Sequence, residues 1–181
     1  MRIQLKNIKQ KNIIIFDIEY DQDLLVQVAF LILGEKEPNI FELQKSFNVY
    51  INPNQLLNSF FVKYTNITNE FLCDNGVDLT VARALVDEVL LDVDLNNSLL
   101  VSHGIKCDYK ILVDNNIKLK KVTKHYCTHN AAKRLLKQNT TFTLKEIAKN
   151  ACYQMFDEHN AYADVWGTFY AFCYLNDLEN K

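Results

Sequence analysis

The chain has 181 residues, 49% of them hydrophobic, enough for one domain, residues 1–181, with a full core and no disulfide or metal staple. Four glycines and two prolines exclude a linker-rich or disordered architecture. The net charge of −2 is unevenly spread: residues 104–145 hold ten Lys or Arg (106, 110, 118, 120, 121, 124, 133, 134, 137 and 145) against two acids, and the rest of the chain holds ten against twenty. A basic half in an acidic protein is the electrostatic footprint expected for a polyanionic partner.

Five cysteines (73, 107, 127, 152 and 173), odd in number and without a CxxC pair, read as reduced thiols of a cytoplasmic protein. The start, Met1 to Lys6, has no apolar run of the kind a signal peptide needs. The apolar stretch from Leu24 to Leu33 is broken by Gln27 and is too short to cross a bilayer, so no membrane association is expected.

In chain order, residues 11–18 are β-branched and apolar and predict a strand buried on both faces. Leu24–Leu33 and Phe41–Ile51 predict two further strands in an antiparallel meander. Thr68–Leu72 suits a helical turn with Thr68 as N-cap, and residues 80–92 an amphipathic helix capped by Thr80. Leu99–Val101 is a short buried strand leading into a helix around Asp108, and residues 121–126 a weak fifth strand. Helices are expected at 128–138, 143–150 and 161–176, the last burying part of its aromatic run from Trp166 to Tyr174.

Asp17 and Glu19 end the first strand two residues apart, a spacing that puts both carboxylates on one face. Like charges so placed repel unless a cation lies between them. An oxygen-only donor set of this kind suits Mg²⁺ or Mn²⁺ rather than zinc. His125, Cys127 and His129 have softer ligand types, but their spacing matches no common zinc site.

Three segments together carry a resemblance: Asp17-Ile18-Glu19, Ser102 to Asp108, and His159 to Asp164. Their order and spacing resemble the three motifs of the DEDDh (DnaQ-like) 3′-to-5′ exonucleases, the family that includes bacterial proofreading subunits, over roughly residues 12–176. The resemblance implies an α/β, RNase H-like mixed sheet of five strands in the order 3-2-1-4-5, flanked by helices. It implies metal-dependent release of nucleoside monophosphates from single-stranded 3′ ends, with DNA the first choice of polymer. Two Mg²⁺ ions, replaceable by Mn²⁺, would be held by Asp17, Glu19, Asp108 and Asp164, and His159 would act as general base. Five residues along a helix rotate through about 140°, so His159 is expected on a loop before the helix, within the polar run Asp157-Glu158-His159-Asn160.

Departures from the family pattern mark this chain. Tyr20-Asp21-Gln22 stands where many members have Thr-Thr-Gly, and Gly104 where the second motif has Asn. Thr65-Asn66-Ile67-Thr68 replaces a His-Gly-Ile-Thr stretch, with Asn66 able to adopt the left-handed conformation of the glycine. Ile18, Tyr20, Tyr64, Ile67, His103 and Lys106 are the expected substrate contacts, with plain core packing the alternative for Tyr64 and Ile67. The alternatives for function are an RNA-trimming, oligoribonuclease-like enzyme on the same site, or a catalytically silent nucleic-acid-binding module. About five residues follow the last expected helix, so no polymerase-binding tail is expected.

Overall fold

The computed structural model describes residues 1–136, 142–155 and 159–181. The expected helix end at 137–138, Lys137, and the loop residues Asp157 and Glu158 lie outside the described residues. Six strands form one mixed sheet: β1 (Arg2–Gln4), β2 (Asn12–Asp21), β3 (Leu24–Glu37), β4 (Ile40–Tyr50), β5 (Ser98–Ser102) and β6 (Lys124–Cys127). Their spatial order is β1-β4-β3-β2-β5-β6. The expected five-stranded order is recovered in β4-β3-β2-β5-β6; the correction is a sixth strand, β1, added antiparallel to β4 at one edge. Strands β2, β3 and β4 are antiparallel, and β5 and β6 run parallel to β2.

The helices are α1 (Ser59–Thr65), α2 (Asn69–Asn75), α3 (Leu79–Val89), α4 (Ile105–Asp114), α5 (Thr128–Leu135), α6 (Leu144–Asn150) and α7 (Ala161–Glu179). Helix α3 starts at Leu79 with Asp78 as its N-cap, so Thr80 is inside the helix rather than capping it. Thr68 does cap α2, accepting from the Phe71 N–H. Residues 118–121 form a 3₁₀ turn, which shortens the expected fifth strand to Lys124–Cys127.

Alternation along β2 sends successive side chains into two cores. Ile14, Phe16 and Ile18 pack with α3 and α4 residues such as Val86 and Leu112 on one face. Ile13 and Ile15 pack on the other against Val165, Phe169 and Phe172 of α7. Burying each phenylalanine of α7 stabilises by roughly 1.5–3 kcal/mol. Helix α7 is apolar around most of its circumference because its far side, Ala171 and Leu175, packs on Ala131, Ala132 and Ile147 of α5 and α6. Beyond Ile15 the α7-facing positions of β2 change from apolar to acidic, at Asp17 and Glu19. No helix among the described residues is long and apolar enough to cross a membrane.

Candidate active site

Asp17 and Glu19 project from β2 toward the N-terminal end of α7, where Asp164 lies in the first helical turn. One carboxylate oxygen from each of the three falls within 4.8 Å of the other two. Asp108, in the first turn of α4, is outside that tight triplet, and Ser102 Oγ at the end of β5 donates to its Oδ2 at 2.6 Å. Asp108 nevertheless repels both Asp17 and Glu19, so the four acids form one electrostatic unit.

Burial is the first cause that raises these carboxyls, and their mutual repulsion adds to it for two of them. Asp17 is held well above the usual carboxylate range by desolvation, then by Asp108, Asp164 and Glu19. Glu19 is pushed up to about 8 by burial, then by Asp164 and Asp108. Asp108 rises to about 6 through burial, with the Ser102 hydroxyl pulling the other way. A divalent cation would relieve this repulsion, and the hard oxygen donors fit Mg²⁺ or Mn²⁺.

His159 sits two residues before α7 in a left-handed turn, φ 65°. Its backbone N–H donates to Asp164 Oδ2 at 3.1 Å, which ties the turn to the acid. Its imidazole stacks on Tyr64 of α1. Asp17, Tyr64, His103, Lys145, Met155, His159 and Asp164 line one cleft of about 370 Å³. A second cleft of about 430 Å³ adjoins it, lined by Glu19, Tyr20, Gln22, Phe60 and Tyr64. Phe60 is 74% exposed and its ring is nearly parallel to that of Tyr64.

The sequence-predicted substrate contacts divide. Tyr20, Tyr64 and His103 line the two clefts. His103 is kept uncharged by burial and by His129, its titration lowered to about 4, and its Nδ1 lies 3.0 Å from Thr128 Oγ1. Lys106 is exposed on the first turn of α4. Ile18 and Ile67 are not among the residues lining either cleft. Ile18 is 5% exposed, in the core beneath the site. Ile67 is 4% exposed and packs with Val26, Phe61 and Leu72.

The departures from the motifs have structural explanations. Gly104 caps α4 at φ 103°, a backbone conformation that glycine adopts freely and L side chains rarely do. Asn66 takes φ 60° at the C-cap of α1. Asp21 is buried and accepts from the Asn58 N–H at 2.5 Å, anchoring the start of α1 beside the site. The sequence offered no signal for Ser102 as a partner of Asp108, nor for the role of Gln27, which figured only as a break in an apolar run.

Comparison with known proteins agrees with this geometry. No curated protein matches the sequence significantly. A full-length 3′-exonuclease aligns with a TM-score of 0.67 at 17% identity, over 94% of this chain and 61% of its own. A 3′-exonuclease described for 3′-end specific recognition of a histone mRNA stem-loop aligns at 0.68 and 15% identity, over 94% and 83%. E. coli Exonuclease I in complex with an oligonucleotide aligns at 0.67 and 16% identity, over 92% and 40%. The chain thus spans less than two thirds of the first and third of these proteins. The exonuclease family model RNase_T matches residues 14–172, and the chain belongs to that family.

Proposed function

We propose that the protein is a 3′-to-5′ exonuclease that hydrolyses phosphodiester bonds at single-stranded 3′ ends and releases nucleoside monophosphates. The observation that carries this reading is the convergence of Asp17, Glu19 and Asp164 within 4.8 Å, beside a histidine on a short turn. Asp17, Glu19, Asp108 and Asp164 would hold two divalent ions, with Mg²⁺ preferred and Mn²⁺ able to replace it. Such ions supply charge stabilisation to the attacking and leaving oxygens of an in-line displacement at phosphorus.

The protein's own side chains then have distinct tasks. His159 accepts the proton of the attacking water through its imidazole, and the turn that carries it is fixed by the bond to Asp164. Ser102 orients the Asp108 carboxylate. Tyr20 and Tyr64 offer ring faces to the terminal bases, contacts that tolerate any sequence. His103 lines the cleft, and Lys106 and the basic segment around it attract the backbone.

DNA is the first choice of polymer, on the motif resemblance to proofreading subunits. RNA is a second reading, favoured by the neighbour described with a histone mRNA stem-loop, which aligns as well as the others. The test is digestion of 5′-labelled DNA and RNA oligomers side by side, with Mg²⁺, with Mn²⁺ and with EDTA. Stepwise shortening from the 3′ end that stops in EDTA is the expected result. Full activity in EDTA, or no activity on either polymer, would overturn the reading.

A further inference from the structure

Gln27 is a polar side chain with no solvent exposure in the middle of the sheet. It lies opposite Glu19 of β2 on one side and Tyr50 of β4 on the other, so the three residues form one row across the strands. The register of β2 against β3 shifts immediately beyond Glu19. Bulges of this kind re-aim side chains at the ends of strands.

Each polar atom of Gln27 is engaged, and the bonds reach α7. Its Oε1 accepts the backbone N–H of Ala161 at 3.0 Å, one of the first-turn donors that a helix leaves without an internal partner. A backbone N–H can only donate, which fixes the orientation of the amide. Its Nε2 therefore donates to Asn48 Oδ1 at 2.9 Å and to Asn160 Oδ1 at 3.3 Å. Asn160 is the N-cap of α7, accepts from the Tyr162 N–H at 3.1 Å, and donates to Tyr50 OH at 3.2 Å. Asn160 follows His159 directly, and the Asp164 N–H donates to its carbonyl at 2.9 Å.

From this network we infer that Gln27 is a positioning residue. It fixes the His159–Asn160 turn, and with it the first turn of α7, over the carboxylates of β2. An apolar side chain of the same length would leave the sheet intact but would release Asn160 and Ala161 from it. The inference rests on the proposed role of His159 as the base.

The test is a double-mutant cycle. Gln27→Met and Tyr50→Phe are each made alone and with His159→Ala, and assayed at saturating Mn²⁺ in single turnover on an oligonucleotide the unaltered protein degrades. Gln27→Met is expected to lower the maximal rate about 10- to 100-fold, within the roughly 10²–10⁴-fold that a positioned base supplies. The half-saturating oligonucleotide and Mn²⁺ concentrations should move less than about threefold. In the His159→Ala background the same change should cost less than about twofold more, because the group it positions is gone. An equal loss in both backgrounds, a loss seen only as weaker binding, or an unchanged rate overturns the inference while leaving the His159 reading in place. A full rate for His159→Ala alone overturns the base assignment itself, and this inference with it. Should Gln27→Met fail to fold, Tyr50→Phe decides. A rate loss that disappears without His159 supports the inference, and an unchanged rate overturns it.

Discussion

The imidazole of His159 lies against the phenol ring of Tyr64, with ring centroids 3.7 Å apart and planes 28° from parallel. One ring comes from the turn before α7 and the other from α1, so two segments 95 positions apart meet at the site. The contact limits how far the imidazole swings about its side-chain bonds. Aromatic pairs of this kind contribute about 0.5–1.5 kcal/mol beyond their buried area. Tyr64→Ala is therefore expected to slow single turnover roughly 2- to 10-fold, while Tyr64→Phe, which keeps the ring, stays within about twofold. Equal losses for the two variants would place the effect in the hydroxyl rather than in the stack.

Asp17→Ala should abolish activity with the fold retained. Asp17 is buried beside three other acids, so its charged form is costly without a cation. Unfolding of the metal-free variant is expected at the same temperature as the parent or higher. Circular dichroism melts in EDTA, paired with a nuclease assay in Mg²⁺, check both halves. A variant that stays active, or one that melts well below the parent, contradicts this account of Asp17.

Glu19 sets a pH dependence for the metal-free protein. Its titration lies near 4.5 in an ordinary environment and is raised to about 8 here. Between those values the folded protein keeps a proton that the unfolded chain has released, so stability falls as pH rises through that window. The contribution is fully present below about pH 4.5 and lost above about pH 8. A bound divalent ion replaces the proton, so stabilisation by Mg²⁺ should grow with pH across the same range. Calorimetric unfolding with and without Mg²⁺ reads both trends, and Glu19→Gln should flatten the metal-free one. A metal-free stability that rises with pH would contradict the buried, mutually repelling arrangement.

The parts of this fold legible in the sequence are those where one period dominates. The run Ile13-Ile14-Ile15-Phe16 is buried on both faces, so β2 announced itself, and the two-residue step from Asp17 to Glu19 fixed their shared face. Helix α1 was missed because it has only seven residues and presents Phe60 and Tyr64 outward, leaving no apolar stripe to recognise. Strand β1 is three residues long and pairs along one edge alone. The burial of Ile18 and Ile67 was not legible, because proximity to a motif in sequence says nothing about which side of the sheet or loop a side chain takes. Gln27 was opaque for a different reason: its partners Asn48, Asn160 and Ala161 converge on it only after α7 docks.

Salt dependence tests the basic segment. Each phosphate contact contributes about −0.7 to the log-log slope of binding against salt for single strands. Lys106 and Lys110 are both exposed on α4, but Lys110 pairs with Asp114 at 2.5 Å and is already partly neutralised. Lys106→Glu is therefore expected to flatten the slope by about 0.7 or more, and Lys110→Glu by less. Binding titrations over a salt series, in Ca²⁺ to suppress cleavage, give the slopes. Identical slopes for the parent and Lys106→Glu would mean that this face is solvated and touches no phosphate.

Removing the imidazole altogether is the sharpest test of the site. His159 lies outside the carboxylate triplet, joined to it through its backbone N–H rather than its ring. His159→Ala therefore keeps the bond to Asp164 and should bind Mn²⁺ and oligonucleotide within about threefold of the parent. The maximal single-turnover rate should fall by about 10²–10⁴-fold, the usual share of a positioned general base. Loss of Tyr64's stacking partner is included in that figure, so Tyr64→Ala should cost little more once His159 is gone. The measurement is a rapid-quench time course of both proteins, with binding followed separately by fluorescence anisotropy. A variant with a parental rate would require another base. One that loses metal binding along with turnover would place the imidazole among the ligands instead.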